Sequence, residues 1–232
     1  MQLITTALGA QLGVHLDPGG EKIMLVDDRG NLLKGVTTCA LLVELALRDA
    51  PGSSIALPTN LPIMFEQIAE RYGGRIIRTE MEADALVKAT LSNDVILGGD
   101  GRGRFIFPDF QNTFDGMMAM AKLLEYLATQ RGAISDIVLN LPPYYVAERR
   151  VSCVWEAKPR VMRLLNDKFR NNKNQETEYG IKVTLGPHSW VLIVPDPDQP
   201  YFRINAEAES QIEAEALADE YAQTVENISP LE

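Results

Sequence analysis

The sequence predicts an α/β domain followed by an α+β domain, and three observations carry that reading. Between about residues 37 and 131, strand-like and helix-like segments alternate, which is the pattern of parallel strands joined by right-handed crossovers. Pro142-Pro143 then interrupts the chain where neither helix nor sheet continues easily. Past that point strand-like runs come grouped together, and one helix closes the chain.

The chain opens with extended segments. Gln11 to Leu16 mixes polar and apolar residues, and Ile23-Met24-Leu25-Val26 has the apolar run of a buried strand. The turn residues Asp27-Asp28-Arg29-Gly30-Asn31 end it. No helix is expected before this hairpin, so residues 1–35 are predicted to be the least stable part, because an isolated hairpin buries little apolar surface.

Helix and strand then alternate. Thr38 to Arg48 sets Leu41, Leu42, Leu45 and Ala46 on one helical face, and Pro51-Gly52 stops it. Ser54-Ile55-Ala56-Leu57 is a short strand. Asn60 is placed to cap a helix to Tyr72, with Gly73-Gly74 as its C-terminal stop. Arg75 to Thr79, Ala83 to Leu91 and Asp94 to Leu97 follow as strand, helix and strand, and Phe105-Ile106-Phe107 continues extended. Thr113 to Arg131 shows helical spacing of Phe114, Met117, Met118, Ala121, Leu124 and Ala128, which predicts that this face is the buried one. Met117, Met118 and Met120 are read as core and near-core residues.

The second half reads as a strand at Tyr145 to Trp155, a helix at Pro159 to Phe169 and a polar loop at Asn171 to Gln175. Strands follow at Gly180 to Leu185, Ser189 to Val194 and Tyr201 to Glu207. Ser210-Gln211-Ile212-Glu213 is a capping box, and its helix runs to about Val225.

Composition narrows the function. At 46% hydrophobic and 23% charged residues, the 232-residue chain has enough apolar side chains for a core, which disordered chains lack. Its net charge of −10 argues against a general nucleic-acid or anionic-lipid binder, since phosphate affinity needs clustered Lys and Arg. No apolar run reaches the roughly 18 residues of a membrane span. The first residues lack the basic and small-residue features of a secretory signal. Cys39 and Cys153 sit in apolar surroundings and read as buried free thiols, which fits a reducing cytoplasm. Two histidines, His15 and His188, are too few for a multi-histidine metal site. Walker A, G-x-S-x-G and Cys–His patterns are absent.

Three loops carry candidate chemistry: His15 to Lys22, Gly98-Gly99-Asp100-Gly101-Arg102-Gly103-Arg104, and Trp190 to Arg203. In order and spacing they resemble the second half of the phosphohexomutase family, the phosphomannomutases and phosphoglucomutases. Stretches such as Gly30-Asn31-Leu32-Leu33 and Phe202-Arg203-Ile204-Asn205-Ala206-Glu207-Ala208-Glu209 add to the likeness. The resemblance begins late in the family's second domain. It implies a hairpin remnant of that domain over 1–35, an α/β third-domain-like layer over 36–141, and an α+β, TATA-box-binding-protein-like fourth domain over 142–232.

Each family motif is altered here. The metal loop of the family reads D-G-D-x-D-R. Asp17 survives, Gly19 and Glu21 replace the other aspartates, and Lys22 replaces the arginine. Mg²⁺ requires several oxygen ligands in tight octahedral geometry, so it is expected only if this loop is functional. As residues alone, Asp17-Pro18-Gly19-Gly20 makes a turn between strands. The sugar loop reads G-G-E-x-S-G-H. Here Asp100 replaces the glutamate, and Arg102 and Arg104 replace the serine and histidine. Two arginines suit a phosphate or carboxylate bidentately, and they equally suit an exposed glycine-rich turn. The phosphate loop reads R-x-S-G-T-E-P followed by arginine. Asp196-Pro197-Asp198-Gln199 replaces its centre, while Pro200 and Arg203 remain. Two prolines remove N–H donors and two aspartates add like charge, so this loop is expected to repel phosphate.

The resemblance then implies a catalytically degenerate mutase-like module. Such modules resemble the C-terminal region of bacterial mannose-1-phosphate guanylyltransferase-like proteins, whose nucleotidyltransferase and β-helix domains come first. The expected role is assembly or regulation, with the parent's N-terminal domains as partners, possible homo-oligomerisation, no cofactor and no catalytic residue in this part. Two other readings stay open. One is the C-terminal half of an active phosphomannomutase or phosphoglucomutase. The other is a hexose phosphate sensor using Asp100, Arg102, Arg104 and Arg203.

Overall fold

Hydrophobic patterning builds two units here, Met1–Pro142 and Pro143–Glu232. The computed structural model describes residues 1–92, 94–130, 132–169, 174–177 and 180–229.

The first unit opens with α1 (Gln2–Ala7), followed by the antiparallel hairpin of β1 (Gly13–Leu16) and β2 (Ile23–Val26). The helix ahead of the hairpin departs from expectation. Its short Gln-Leu-Ile-Thr-Thr-Ala run is held by side chains rather than by propensity: Gln2 Nε2 donates to Gly30 O at 2.9 Å, and Thr5 is buried. Nor is the hairpin a loose remnant. Ile23, Leu25 and Val26 are buried, and the turn after β2 is tied to a later helix, where Asp28 accepts from the Ser135 N–H at 2.9 Å and from its hydroxyl at 2.7 Å.

Next come α2 (Gly35–Asp49), β3 (Ser54–Pro58), α3 (Met64–Arg71), β4 (Arg75–Thr79), α4 (Ala83–Ala89), β5 (Val95–Gly99), β6 (Phe105–Ile106), α5 (Gly116–Thr129) and α6 (Ile134–Leu139). Sheet order is β4-β3-β5-β6. β3 pairs in parallel with β4 and with β5, as the alternation predicts, whereas β6 returns antiparallel at the edge. A loop of only five residues links β5 to β6, too short for a crossover, so the pair closes as a hairpin. β3 is buried along its whole length, which accounts for its unbroken apolar run. α2 is buried on all sides from Thr38 to Leu47, well beyond the single face its leucines suggest. α3 starts at Met64 without a side-chain cap, so Asn60 does not cap it. α6 has no counterpart in the sequence reading: at six residues it is too short to show a helical period.

α5 is turned the other way from its predicted face. Its buried residues are Gly116, Ala119, Leu123 and Tyr126, while Met117 and Leu124 are 61% and 50% exposed. Apart from the Lys122–Glu125 pair the helix is apolar, so its period carries two candidate stripes. The N-cap decides between them: the Asp115 side chain accepts from Met118 N at 2.8 Å, and the Asp115 N–H donates to Phe105 O at 2.9 Å. These bonds anchor the start of the helix with Gly116, Ala119, Leu123 and Tyr126 buried.

The second unit comprises β7 (Tyr145–Ser152), a 3₁₀ turn at Trp155–Ala157, α7 (Lys158–Phe169), β8 (Asn174–Thr177), β9 (Gly180–Gly186), β10 (Ser189–Pro195), β11 (Tyr201–Ala208) and α8 (Gln211–Ile228). Its antiparallel sheet has the order β7-β11-β10-β9-β8. One face packs on α7 and α8 through Val151, Ile181, Val191, Ile193, Phe202 and Ile204 against Val161, Leu165, Ala214 and Ala218. Ser210 caps α8 by accepting from Glu213 N, as the capping box predicts. The expected loop at Asn171 to Gln175 is corrected in part, since Asn174 begins the edge strand β8; its first three residues lie outside the described ones. β7 ends at Ser152, ahead of Trp155, where the 3₁₀ turn begins. Among the described residues no helix is long and apolar enough to cross a membrane. Cys39 and Cys153 are both buried and free.

Candidate functional site

In the first unit the structure brings two of the three candidate loops together. The loop leaving β5 turns back into β6 at Asp100 to Arg104. Gly101 and Gly103 take φ of +70° and +101°, which side-chain-bearing residues rarely adopt. A Cβ on Gly103 would lie 2.4 Å from Ile23 O, so the backbone of the hairpin sits directly on this loop. Ile23 N donates to Gly103 O at 2.9 Å, and Lys22 pairs with Arg104 as an isolated β-bridge. The 17–22 turn also docks on the start of α5, where Gly116 N donates to Gly20 O at 2.7 Å.

The side chains of these loops are largely spent on the loops themselves. Asp100 Oδ1 accepts from the N–H groups of Arg102 at 2.7 Å and Arg104 at 3.0 Å, and its Oδ2 accepts from Arg104 Nε at 2.8 Å. The Arg104 guanidinium lies 4.4 Å from the centroid of the Phe114 ring. Of the two arginines at this loop, only Arg102 is exposed without an ion pair among the described residues.

Asp17 behaves likewise. It accepts from Lys22 N at 2.9 Å, and that bond holds its carboxyl below the usual range against a weaker opposing desolvation. Glu21 is exposed. Among the described residues no three His, Cys, Asp or Glu side chains converge to hold a metal ion. With glycine at 19 and its one aspartate already serving as a turn acceptor, this donor set does not fit octahedral Mg²⁺.

The third loop lies in the second unit, between β10 and β11. Asp196 is 2% exposed and pairs with the Arg203 guanidinium. Its Oδ1 accepts from Asp198 N at 2.9 Å. Burial pushes its carboxyl up, but the Asp198 N–H and Arg203 outweigh that and leave it low. The expectation of two aspartates repelling an incoming phosphate is therefore half corrected: Asp198 and Gln199 are exposed, whereas the Asp196 charge is compensated inside the loop.

Lys158, at the first turn of α7, is a buried support of this loop that the sequence reading missed. It is 7% exposed and donates to Asp196 O and Gln199 O, both at 2.6 Å, beneath the Trp155 ring at 3.6 Å. Desolvation lowers its pKa, opposed by Asp196. A sequence signal existed: a lysine at a helix N-terminus meets the positive end of the dipole, so it needs an acceptor elsewhere. Two further backbone donors of this loop are engaged, Asp196 N with Tyr201 O at 3.0 Å and Tyr201 N with Gln199 O at 2.8 Å.

Residues 34–145 match the family model for phosphoglucomutase/phosphomannomutase, alpha/beta/alpha domain III. The chain is 27% identical over 220 residues to a protein of Methanopyrus kandleri named "Probable phosphoglucosamine mutase", covering 94% of this chain and 48% of that one. It is 29% identical over 211 residues to a phosphoglucomutase/phosphomannomutase of Thermococcus kodakarensis, covering 91% of this chain and 46% of the relative. Residues 34–145 carry that domain, and over most of its length the chain is similar to phosphohexomutases. Among solved structures, a phosphoglucomutase/phosphomannomutase family protein from Burkholderia thailandensis shares the fold. Its TM-score is 0.79 at 19% identity, over 98% of this chain and 49% of that one. The chain spans about half the length of the curated phosphohexomutases it matches.

Proposed function

We propose that this chain is a catalytically silent phosphohexomutase-like module that serves assembly or regulation. The proposed parent is a sugar-phosphate nucleotidyltransferase of the mannose-1-phosphate guanylyltransferase type, acting in the cytoplasm with its N-terminal nucleotidyltransferase and β-helix domains as partners. One observation carries the silence. The family-type residues that would meet a ligand are engaged within the chain: Arg203 in an ion pair with Asp196, and Asp17 by the Lys22 N–H. Transition-state stabilisation needs donors aimed at the reacting group, and donors already bonded elsewhere must first give up those bonds.

The half-length match to whole mutases supports a second reading, the C-terminal half of an active phosphomannomutase or phosphoglucomutase. A coupled assay interconverting mannose 1-phosphate and mannose 6-phosphate tests both. The proposal expects no turnover above background from this chain. Turnover that persists through repurification and scales with protein contradicts it. The coding sequence upstream of Met1 separates the two parents, since a phosphoserine loop there favours the mutase and a nucleotidyltransferase domain favours the proposal.

A further inference from the structure

We infer that the exposed apolar stripe of α5 is the surface on which two copies of this chain pair, helix against antiparallel helix about a two-fold axis. The inference names a partner for the assembly part of the proposed function and rests on that part, but it is carried by this one helix.

Met117, Ala121, Leu124 and Ala128 recur at the four- and three-residue steps of a helix–helix seam, and all four are exposed. α5 already packs into its own unit through Ala119, Leu123 and Tyr126, so this second apolar stripe is left for a contact outside it. The order of sizes along the stripe specifies the partner. It runs large, small, large, small, and its reverse is the complement. An antiparallel copy therefore sets Met117 against Ala128 of the second copy and Leu124 against its Ala121. All four contacts share one two-fold axis, which passes between Lys122 and Leu123, as a self-complementary interface requires. A parallel copy would stack Met117 on Met117 and leave gaps between alanines. The flanks agree with that axis, which brings each flank to its own counterpart. Half-buried Met120 and Leu127 border one side of the stripe. Lys122 and Glu125, ion-paired at 2.9 Å, border the other, so Lys122 of one copy stands beside Glu125 of the second. These are the helix's two ionic side chains, so α5 carries none of the chain's net charge of −10. At 14 residues the helix is about 21 Å long, less than a permanent interface spans, so the pair is reversible and the dilute chain is monomeric.

Sedimentation equilibrium of the full 232-residue chain reads the association. The expected weight-average mass is 25.7 kDa at about 5 µM and at least about 1.5-fold higher at about 500 µM. Ala121→Glu places a charge against Leu124 of the second copy and is expected to hold the mass at 25.7 kDa at both concentrations. Its far-ultraviolet circular dichroism is expected to match the wild type, because Ala121 is exposed. Disulfide formation reads the register separately, since the native Cys39 and Cys153 are buried. Met117→Cys mixed with Ala128→Cys is expected to give a mixed cross-linked dimer. Met117→Cys alone is expected to give none, because its two copies lie about 16 Å apart on antiparallel helices. This second measurement also serves where Ala121→Glu fails to fold. A mass that stays at 25.7 kDa throughout, association unchanged in a folded Ala121→Glu, or cross-linking of Met117→Cys to itself overturns the inference. Mutase turnover by the wild type would instead contradict the proposed silence and leave the pairing of α5 untouched, so the two failures are distinguishable.

Discussion

The Asp100 carboxylate holds Arg104 twice, accepting from its backbone N–H at 3.0 Å and from its Nε at 2.8 Å. Asp100 is thereby the keystone of its own turn. Asp100→Ala is expected to cost about 2 kcal/mol, the scale of losing hydrogen bonds to a charged acceptor that is mostly buried. Urea denaturation measures it, and a change under about 0.5 kcal/mol would show that the loop holds without the carboxylate.

The orientation of α5 gives a second test. Leu123→Ala removes a fully buried side chain and is expected to cost about 2–5 kcal/mol. Leu124→Ala, one position on and half exposed, is expected to stay within about 0.5 kcal/mol. Equal losses at the two positions would mean that the helix buries both stripes.

The hydrophobic spacing of α5 points to the wrong stripe for a physical reason. Met117, Ala121, Leu124 and Ala128 repeat with a good helical period, and so do Ala119, Leu123 and Tyr126. Hydrophobic spacing identifies the helix but not its rotation when both stripes are apolar, and the deciding bonds at Asp115 involve Phe105, ten residues away. The alternating α/β order, the grouped strands of the second unit and the Ser210 cap were legible because each is local. α1 and α6 were not, since each has only six residues and is held by contacts distant in sequence. The candidate loops were located correctly by residue type. Their internal bonding, Asp17 to Lys22 and Asp196 to Arg203, depends on side-chain direction that a one-dimensional pattern does not hold.

The hairpin offers a third prediction. Because Ile23, Leu25 and Val26 are buried and the following turn is tied to Ser135, their amides are expected to exchange with solvent as slowly as those of Ile55 and Leu57 in β3. Hydrogen–deuterium exchange measures this directly. Exchange at Leu25 and Val26 that is faster by orders of magnitude would restore the picture of a loose N-terminal remnant.

Acid should act through Asp196. Its folded carboxyl lies below the ordinary value of 3.8, because the Asp198 N–H and Arg203 outweigh the opposing effect of burial. A group depressed on folding contributes stability that is present above the unfolded value and is lost as pH falls through the folded one. The wild type is therefore expected to lose melting temperature as pH drops below 3.8, and Asp196→Asn to lose less over the same interval. Parallel curves for the two proteins would show that Asp196 is not held low.

The central claim is that Asp17, Asp100, Arg104, Asp196 and Arg203 are engaged within the chain itself. Calorimetric titration of the wild type with mannose 1-phosphate and mannose 6-phosphate tests it most directly. The account predicts dissociation constants in the millimolar range or weaker for both sugars, because Arg203 and Asp100 are already bonded. Binding of about 10 µM or tighter, worth about 7 kcal/mol, would contradict it.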